Sequence, residues 1–260
     1  VFLRSAFSPS TLTRLLDGWA PVAAEPSGLD TAERLGLWVS AFDAIRLQAA
    51  HQAIAQLDPA AVPRRRAQRA SALAEDVQRT RSVLLQAIAQ EPGPVVETAL
   101  TPADLRRLAR AAAQPQADEE DASSTRWRQR HLELQRQMEL MLPPLREHVR
   151  QALAQGSSRL RRLAALDAAM DQVLAPREQK LLPTIIERME RRFTQLREEH
   201  RQALQDSGQD DAPAAWRQPG GWLARFAGEW RQLLAAELEL RLQPVTGLLE
   251  AAAKEWNEQQ

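Results

Sequence analysis

The chain has 260 residues, of which 44% are hydrophobic and 26% are charged, and its 34 basic and 34 acidic side chains give a net charge of zero. A chain of this length and composition can form a large hydrophobic core, which excludes wholesale disorder. The balanced charge removes the overall electrostatic argument for binding nucleic acid or acidic lipid, and the absence of cysteine excludes disulfides and thiolate metal sites.

No uncharged stretch of the sequence is long enough to cross a membrane. The run 47–57 is among the longest, but it is rich in glutamine and alanine, and a membrane-spanning helix needs about 20 apolar residues. Arg4, Arg14 and Asp17 come before any apolar run of signal-peptide length, so we expect no secretion signal. These features and the absence of cysteine predict a cytoplasmic protein.

The composition favours helices over strands. Glycine occurs only 10 times, tyrosine is absent, and the helix formers alanine, leucine, glutamine, arginine and glutamate dominate. We therefore predict an all-α protein, built as an elongated assembly of long amphipathic helices. The composition along the chain divides it into an N-terminal helical block over 1–113, an acidic linker over 114–124 and a C-terminal helical block over 125–260.

Capping residues and prolines mark four helices in the N-terminal block, the last of which begins at Thr101 and Pro102 and is rich in alanine and arginine. Ser8 followed by Pro9 predicts the start of a short helix that ends near Trp19. Asp30 begins the second helix, and Glu33 completes a capping box with it. The second helix, and a third between two proline-containing loops, carry apolar side chains three or four residues apart. These are Leu35, Trp38, Phe42, Ile45 and Ala49 in the second helix and Ala70, Leu73, Val77, Leu84 and Ile88 in the third.

Prolines and a Gly-Ser step divide the C-terminal block. Pro143 and Pro144 are expected to kink or break its first helix, Gly156 and Ser157 to end that helix and cap the next, and Pro176 to separate the next from the one that follows. Each helix carries an apolar stripe at helical spacing. In chain order the stripes are Trp127, His131, Leu134, Met138, Met141 and Leu142; Leu160, Leu163, Leu166, Met170 and Leu174; Leu182, Ile185, Ile186, Met189, Phe193, Leu196 and His200; and Leu223, Phe226, Trp230, Leu234, Leu238, Leu242, Val245, Leu249, Ala252 and Trp256.

A set of short strings in both blocks carries a family resemblance. The strings are 14–16, 32–38 and 42–45 in the N-terminal block and 132–138, 163–167 and 236–245 in the C-terminal block. Together they resemble an uncharacterised proteobacterial family, a domain of unknown function, over most of the chain. The resemblance implies genes adjacent to those for a stator-type (MotA/TolQ/ExbB-like) proton-channel protein and an OmpA-like protein. It therefore implies a soluble accessory of an envelope-spanning machine, and it implies no catalytic residue.

The residue spacings of common catalytic and metal sites are absent. No glutamate lies three residues before any of the 4 histidines, as a ferritin-like di-iron site requires, and there is no His-Glu-x-x-His zinc motif. Serine nucleophile elbows, Walker loops and dinucleotide fingerprints are also missing. Asp167 and Asp171 lie one turn apart, which allows a magnesium site in a helical-bundle enzyme, but we favour solvated helix charges. We predict a protein that is not an enzyme and has no cofactor or metal.

A dense basic cluster is formed by Arg64, Arg65, Arg66 and Arg69. Cations near a helix N-terminus oppose the helix dipole, so a compensating anion is expected, such as nucleic acid, an anionic lipid surface or an acidic peptide. The alternative is a run that is solvated, or paired with the acidic residues 118–121 of the same chain. That alternative agrees with the general use of arginine in place of lysine along this sequence.

The 7 tryptophans divide into core anchors and candidates for contact with a partner. Trp216 lies in a loop rich in proline and glycine and Trp256 near the C-terminal end, where an indole contacts either a neighbouring helix or a partner protein. The others fall on or beside apolar stripes, and each is expected to bury a large area in the core. The predicted core anchors are Trp19, Trp38, Trp127, Trp222 and Trp230.

These features favour a non-enzymatic helical scaffold or interaction protein of the bacterial cytoplasm. The resemblance adds a membrane proton-channel complex as the expected partner. The alternative is a nucleic-acid-associated accessory protein that binds through the basic cluster. The predicted partner-binding residues are Trp216, Trp256, Arg64, Arg65, Arg66 and Arg69.

Overall fold

The computed structural model describes residues 10–19, 41–57, 67–92 and 123–257. Over these ranges the chain forms seven helices and no strand, which confirms the predicted all-α fold. The helices are α1 (Thr11–Trp19), α2 (Ala41–Ala55), α3 (Ala67–Ala89), α4 (Thr125–Ala154), α5 (Ser158–Ser207), α6 (Pro213–Trp216) and α7 (Trp222–Asn257). None of the helices described is long and apolar enough to span a membrane.

Serine caps fix the start of two helices. The Oγ of Ser157 accepts the backbone N–H of Leu160 at 3.2 Å at the start of α5, which confirms the predicted step between α4 and α5. Gly156 leaves little room for a side chain, since an added Cβ would lie 2.9 Å from a methyl carbon of Leu160 and 3.0 Å from the backbone oxygen of Leu153. α1 begins at Thr11, and Ser10 Oγ accepts the backbone N–H of Thr13 at 3.1 Å. The cap predicted at Ser8 lies outside the described residues.

The prolines do not break the long helices. α4 continues through Pro143 and Pro144, which excludes a break there, and α5 continues through Pro176, so the separation predicted at Pro176 is wrong. A proline inside a helix costs about 3 kcal/mol or more because it removes one hydrogen bond and crowds the preceding turn. Each of these helices buries apolar side chains on both sides of its prolines, and that packing outweighs the local cost.

The chain packs as two units, and four helices, α3, α4, α5 and α7, contribute a segment to each. Unit 1 contains Val1–Leu84, Met138–Pro183 and Glu237–Gln260. Its described core is aliphatic and comes from α1, α3, α4, α5 and α7. The buried side chains are Leu12, Leu73, Val77, Leu84, Met138, Leu142, Leu145, Val149, Leu153, Leu160, Ala164, Val173, Leu238, Leu242, Val245, Leu248 and Ala252.

Unit 2 contains Leu85–Gln137 and Thr184–Ala236, and its core has a cluster of aromatic rings packed among aliphatic side chains. Trp127 packs edge-on against Phe226 and Trp230, with ring centroids 5.0 Å and 5.1 Å away. Phe193 makes the same kind of contact with Phe226 at 4.9 Å and with Trp222 at 5.2 Å. Burial of the three tryptophans confirms their predicted role as core anchors. Trp19 of α1 is half-buried, and Trp38 lies outside the described residues.

Most predicted stripes are buried, but two are not buried as a whole. In α2 the predicted stripe residues Phe42 and Ile45 are exposed, and in α5 the stripe is shifted around its helix. The stripe at the start of α5 is wrong at Leu166 and Met170, which are 47% and 36% exposed, whereas Ala164 and Val173 are buried. The shift has a physical cause, because Asp167 turns toward arginines of α4 and rotates the inward face of α5. The predicted linker 114–124 lies almost wholly outside the described residues, so the two sequential blocks and the elongated assembly stay predictions.

Candidate functional site

Most predicted partner-binding residues have no described side chain. Arg64, Arg65 and Arg66 lie outside the described residues. Arg69 lies in α3 and Trp256 in α7, but their side chains also lie outside the description. Contact through these residues, and with it the nucleic-acid alternative, stays a prediction.

Trp216 is buried against its own chain. Its Nε1 donates a hydrogen bond to Asp211 Oδ1 at 2.7 Å, and its ring lies 5.6 Å from that of Trp222. An indole held in this way has little surface for a partner, so we place Trp216 with the residues that fix its own loop. Asp211 was not predicted from the sequence, because its only signal there is a carboxylate five residues before a tryptophan in a polar loop.

His200 of α5 completes this loop cluster. Its Nε2 lies 3.1 Å from Asp211 Oδ1, and its ring stacks on Trp222 with centroids 6.2 Å apart and an angle of 28° between the planes. Partial burial raises the pKa of Asp211, but hydrogen bonds from Trp216 and His200 and the charge of Arg197 act in the opposite direction and lower its pKa overall. The loop is therefore attached to α5 through one ionised carboxylate.

Two arginines of α4 pair with two aspartates of α5 in unit 1. Arg146 binds Asp167 through two nitrogens at 2.6 Å and 2.8 Å, and it binds Asp171 at 2.7 Å. Arg150 donates to Asp171 at 3.0 Å and lies 3.4 Å from Asp167. The favoured interpretation of the two aspartates as solvated charges is therefore wrong. Their oxygens bind guanidinium groups, which also removes the basis of the magnesium hypothesis.

This Arg–Asp network, the four residues Arg146, Arg150, Asp167 and Asp171, is half-buried. Burial lowers the pKa of Arg146, but its hydrogen bond to Asp167 and the charges of both aspartates outweigh burial and raise its pKa. A sequence signal for the network does exist. Arg146 lies ten residues before Gly156 and Asp167 lies eleven after it, so an antiparallel turn at that glycine brings them level.

A second charged pair ties α5 to α7 in unit 2. Arg192 donates to the two carboxylate oxygens of Glu229 at 2.6 Å and 2.8 Å, and Arg225 donates to the same carboxylate at 3.2 Å. Burial raises the pKa of Glu229, and the bonds and charges of the two arginines more than reverse that effect, so its pKa is lowered. The arrangement is bidentate and fixes the facing turns of the two helices.

The described residues hold no group of three or more histidine, aspartate or glutamate side chains placed to bind a metal ion. The histidines are spread among different environments. His131 is fully buried in α4, His148 lies 3.9 Å from Asp76 at an exposed position, and His200 belongs to the loop cluster. The absence of enzymatic activity stays a prediction.

α2 presents an apolar face outward. Asp43 attaches the opposite face of α2 to α5, because it accepts a hydrogen bond from Arg177 at 2.6 Å. Phe42 and Ile45 point away from that face and are 79% and 64% exposed. Helical spacing adds two exposed alanines to the same side. We call these four residues the α2 stripe: Phe42, Ile45, Ala49 and Ala53.

Comparison with known proteins gives a family and no function. No curated protein and no solved structure gives a significant match to the chain. A family model described as "Protein of unknown function (DUF3348)" matches residues 1–254, which is nearly the whole sequence. The chain therefore belongs to the DUF3348 family of proteins of unknown function.

Proposed function

We propose that this protein is a non-enzymatic helical interaction protein that binds a partner protein through the α2 stripe. The proposal depends on one observation: Phe42 and Ile45 are the two largest side chains on one face of α2, and both are mostly exposed. An aromatic and a β-branched side chain one turn apart are costly to leave in water. The opposite face is held by the Asp43–Arg177 pair, so the stripe faces away from α5.

The occupant that fits the α2 stripe is an amphipathic helix of another protein. Its four residues follow the i, i+3, i+7, i+11 spacing along one side of the helix, which is the pattern of helix-to-helix recognition. The stripe itself carries no charge, so apolar packing would supply the affinity. Flanking charges such as Arg46, which is exposed, would select among partners.

A paired substitution tests this surface. We expect Phe42→Glu with Ile45→Glu to reduce recovery of the native partner at least about tenfold, because each buried apolar anchor contributes on the order of 1–2 kcal/mol. Thermal unfolding should change little, since neither side chain is packed. The measurement is quantitative mass spectrometry of proteins that co-purify from native lysate, with circular dichroism of each variant.

Leu140→Glu is the matched control. Leu140 is 70% exposed on α4, but its neighbours one turn away are Arg136 and Pro143, so it belongs to no apolar stripe. The control should retain the partner. Unchanged recovery with the paired α2 variant, or equal loss with the control, would contradict the proposal.

A more specific form of this proposal identifies the partner protein and the cellular compartment in which the two meet. The resemblance described above points to a stator-type proton-channel complex, met from the cytoplasmic side of a bacterial envelope. Recovery of a channel subunit with the wild type, and its loss with the paired α2 variant, is the expected result. Recovery of unrelated proteins alone would leave the interaction surface in place and reject the channel as its partner.

A further inference from the structure

The segment 208–221 between α5 and α7 has a fixed conformation that depends on glycines at both ends. Gly208 and Gly220 have φ angles of 65° and 92°, in the left-handed region that favours glycine. Gly221 is tighter still, because an added Cβ would lie 2.3 Å from the backbone oxygens of Ala215 and Trp216. The segment therefore folds back on itself around α6.

One carboxylate oxygen joins this segment to α5. Asp211 Oδ1 receives the Trp216 indole N–H from within the segment and lies 3.1 Å from His200 Nε2 on α5. The side chain of His200 is 26% exposed and that of Asp211 is 46% exposed, so protons from solvent reach both. The contact is thus open to titration while the indoles beside it are buried.

Imidazole is the side chain whose unperturbed charge change falls between pH 5 and 8. Neutral imidazole donates to Asp211 only in the tautomer that carries its proton on Nε2; in the other tautomer a lone pair faces the carboxylate. The imidazolium donates from Nε2 in every case, and the bond is then charge-assisted. The protonated ring also stacks more favourably on the indole of Trp222.

We propose that His200 is a pH-sensitive latch, whose protonation holds segment 208–221 on α5 and whose deprotonation loosens it. The latch acts through two contacts at once, the charge-assisted bond to Asp211 and the stack on Trp222. The carboxylate of Asp211, which accepts the bond from His200, is already ionised. Acidification from pH 8 to pH 5.5 therefore strengthens the contact. This direction is opposite to the usual effect of acid on a folded protein.

The charged groups around the latch keep their charge over this pH range. The lowered pKa of Asp211 keeps its carboxylate ionised at pH 5.5. Arg197 acts on the same carboxylate, and Glu199 pairs with Arg225 of α7 at 3.9 Å. Glutamate and arginine titrate well outside pH 5.5–8 in ordinary surroundings. Among the side-chain types around the segment, imidazole is the one with an unperturbed charge change between pH 5 and 8, so the test is directed at His200.

Hydrogen exchange of the full chain at pH 5.5 and pH 8, corrected for intrinsic exchange rates, tests the latch. We expect the amides of 208–221 to be about threefold to fivefold more protected from exchange at pH 5.5 than at pH 8. The effect is modest because a half-exposed charged pair contributes little free energy. In His200→Gln this difference should disappear, because the amide still donates but does not titrate. His148→Gln is the matched control; it removes a 58% exposed histidine elsewhere and should keep the difference.

A second variant keeps the test decisive if the first alters the fold. Asp211→Asn retains an acceptor oxygen for Trp216 but removes the negative charge, and it should reduce the pH effect on 208–221 to less than twofold. Equal protection of the wild-type segment at both pH values would overturn the latch. Persistence of the difference in both His200→Gln and Asp211→Asn would assign it to another group and overturn the latch equally.

Discussion

The two units hold their helices together by different chemistry. Unit 2 is organised around aromatic rings packed edge to edge, with Trp127, Phe193 and Phe226 among them. Unit 1 has an aliphatic interior and, along one side, the Arg–Asp network between α4 and α5. Large rings contribute stability mainly by the area they bury, whereas ion pairs fix which turns face each other while adding less net energy. Unit 2 is therefore expected to be the more sensitive to side-chain truncation.

The prolines inside the long helices of the described residues fall in unit 1 as well. Pro143 and Pro144 lie in α4, Pro176 and Pro183 in α5, and Pro244 in α7. Each removes a backbone hydrogen bond from its helix, so the helical ladder in unit 1 is weaker than in the other unit. Next to one of these prolines, Pro176, the side chain of Arg177 donates to the carbonyl oxygen of Val173 at 3.0 Å and adds a contact within that turn.

The largest effect is expected from Phe193→Ala. Phe193 is buried in unit 2 and contacts the rings of Trp222 and Phe226, so truncation removes its transfer energy and leaves a cavity. We expect a loss of about 3–5 kcal/mol in the free energy of unfolding, measured by urea denaturation. Burial within the chain also means that Phe193 is no partner contact. A loss below about 1 kcal/mol would show that the aromatic cluster is not the main source of stability in unit 2.

A smaller effect is expected from Asp167→Ala in unit 1. It removes the carboxylate that Arg146 binds through two nitrogens and leaves Arg146 with Asp171, while Arg150 keeps Asp171 and Glu147; the loss should be about 2–3 kcal/mol. The informative control removes both members of one pair. Arg146→Met combined with Asp167→Leu should recover at least half of the loss, because apolar side chains of similar size pay no desolvation penalty. No recovery would mean that the network stabilises unit 1 as strongly as rings stabilise unit 2.

The ion pair of unit 2 predicts a pH dependence. The pKa of Glu229 is lowered by its arginine partners, so its contribution to stability is present above its unfolded pKa and is lost as the pH falls through its folded pKa. Glu229→Gln should cost about 1–2 kcal/mol at pH 7. The difference from wild type should shrink below about pH 4.5, where the unfolded carboxyl begins to hold its proton. A difference that is constant from pH 7 to pH 3 would contradict this assignment.

The features of the fold that depend on local sequence pattern could be predicted from the sequence. Helix content, the Gly156-Ser157 step and the stripe through Met189 and Phe193 follow from propensity, capping and spacing, and the structure confirms them. Prediction from the sequence was wrong where contacts between residues far apart in the chain outweigh local helix preferences. The continuous course of α5 through Pro176 depends on packing on both sides of that proline, which no short window of sequence contains.

The residues of the candidate sites also depend on contacts between distant parts of the chain, which local sequence patterns do not reveal. Pairing of Arg146 with Asp167 requires the register of the turn at Gly156, so composition alone cannot distinguish a network from solvated charges. The outward direction of Phe42 depends on the distant Asp43–Arg177 pair. Trp216 needs Asp211 as an acceptor before its position can be understood. In each case the sequence holds both partners, and tertiary structure decides that they meet.

The smallest effect concerns the face of α5 that the structure turns outward in unit 1. Leu166 and Met170 were predicted in the buried stripe, but both are exposed because Asp167 occupies the inward side. Leu166→Gln and Met170→Gln should each change the free energy of unfolding by less than about 0.5 kcal/mol. Val173→Ala, on the buried side of the same helix, should cost about 1–2 kcal/mol and serves as the matched control. If the glutamine variants lose more stability than Val173→Ala, apolar packing rather than the Arg–Asp network sets the orientation of α5. The proposed difference between the two units would then be wrong for this helix.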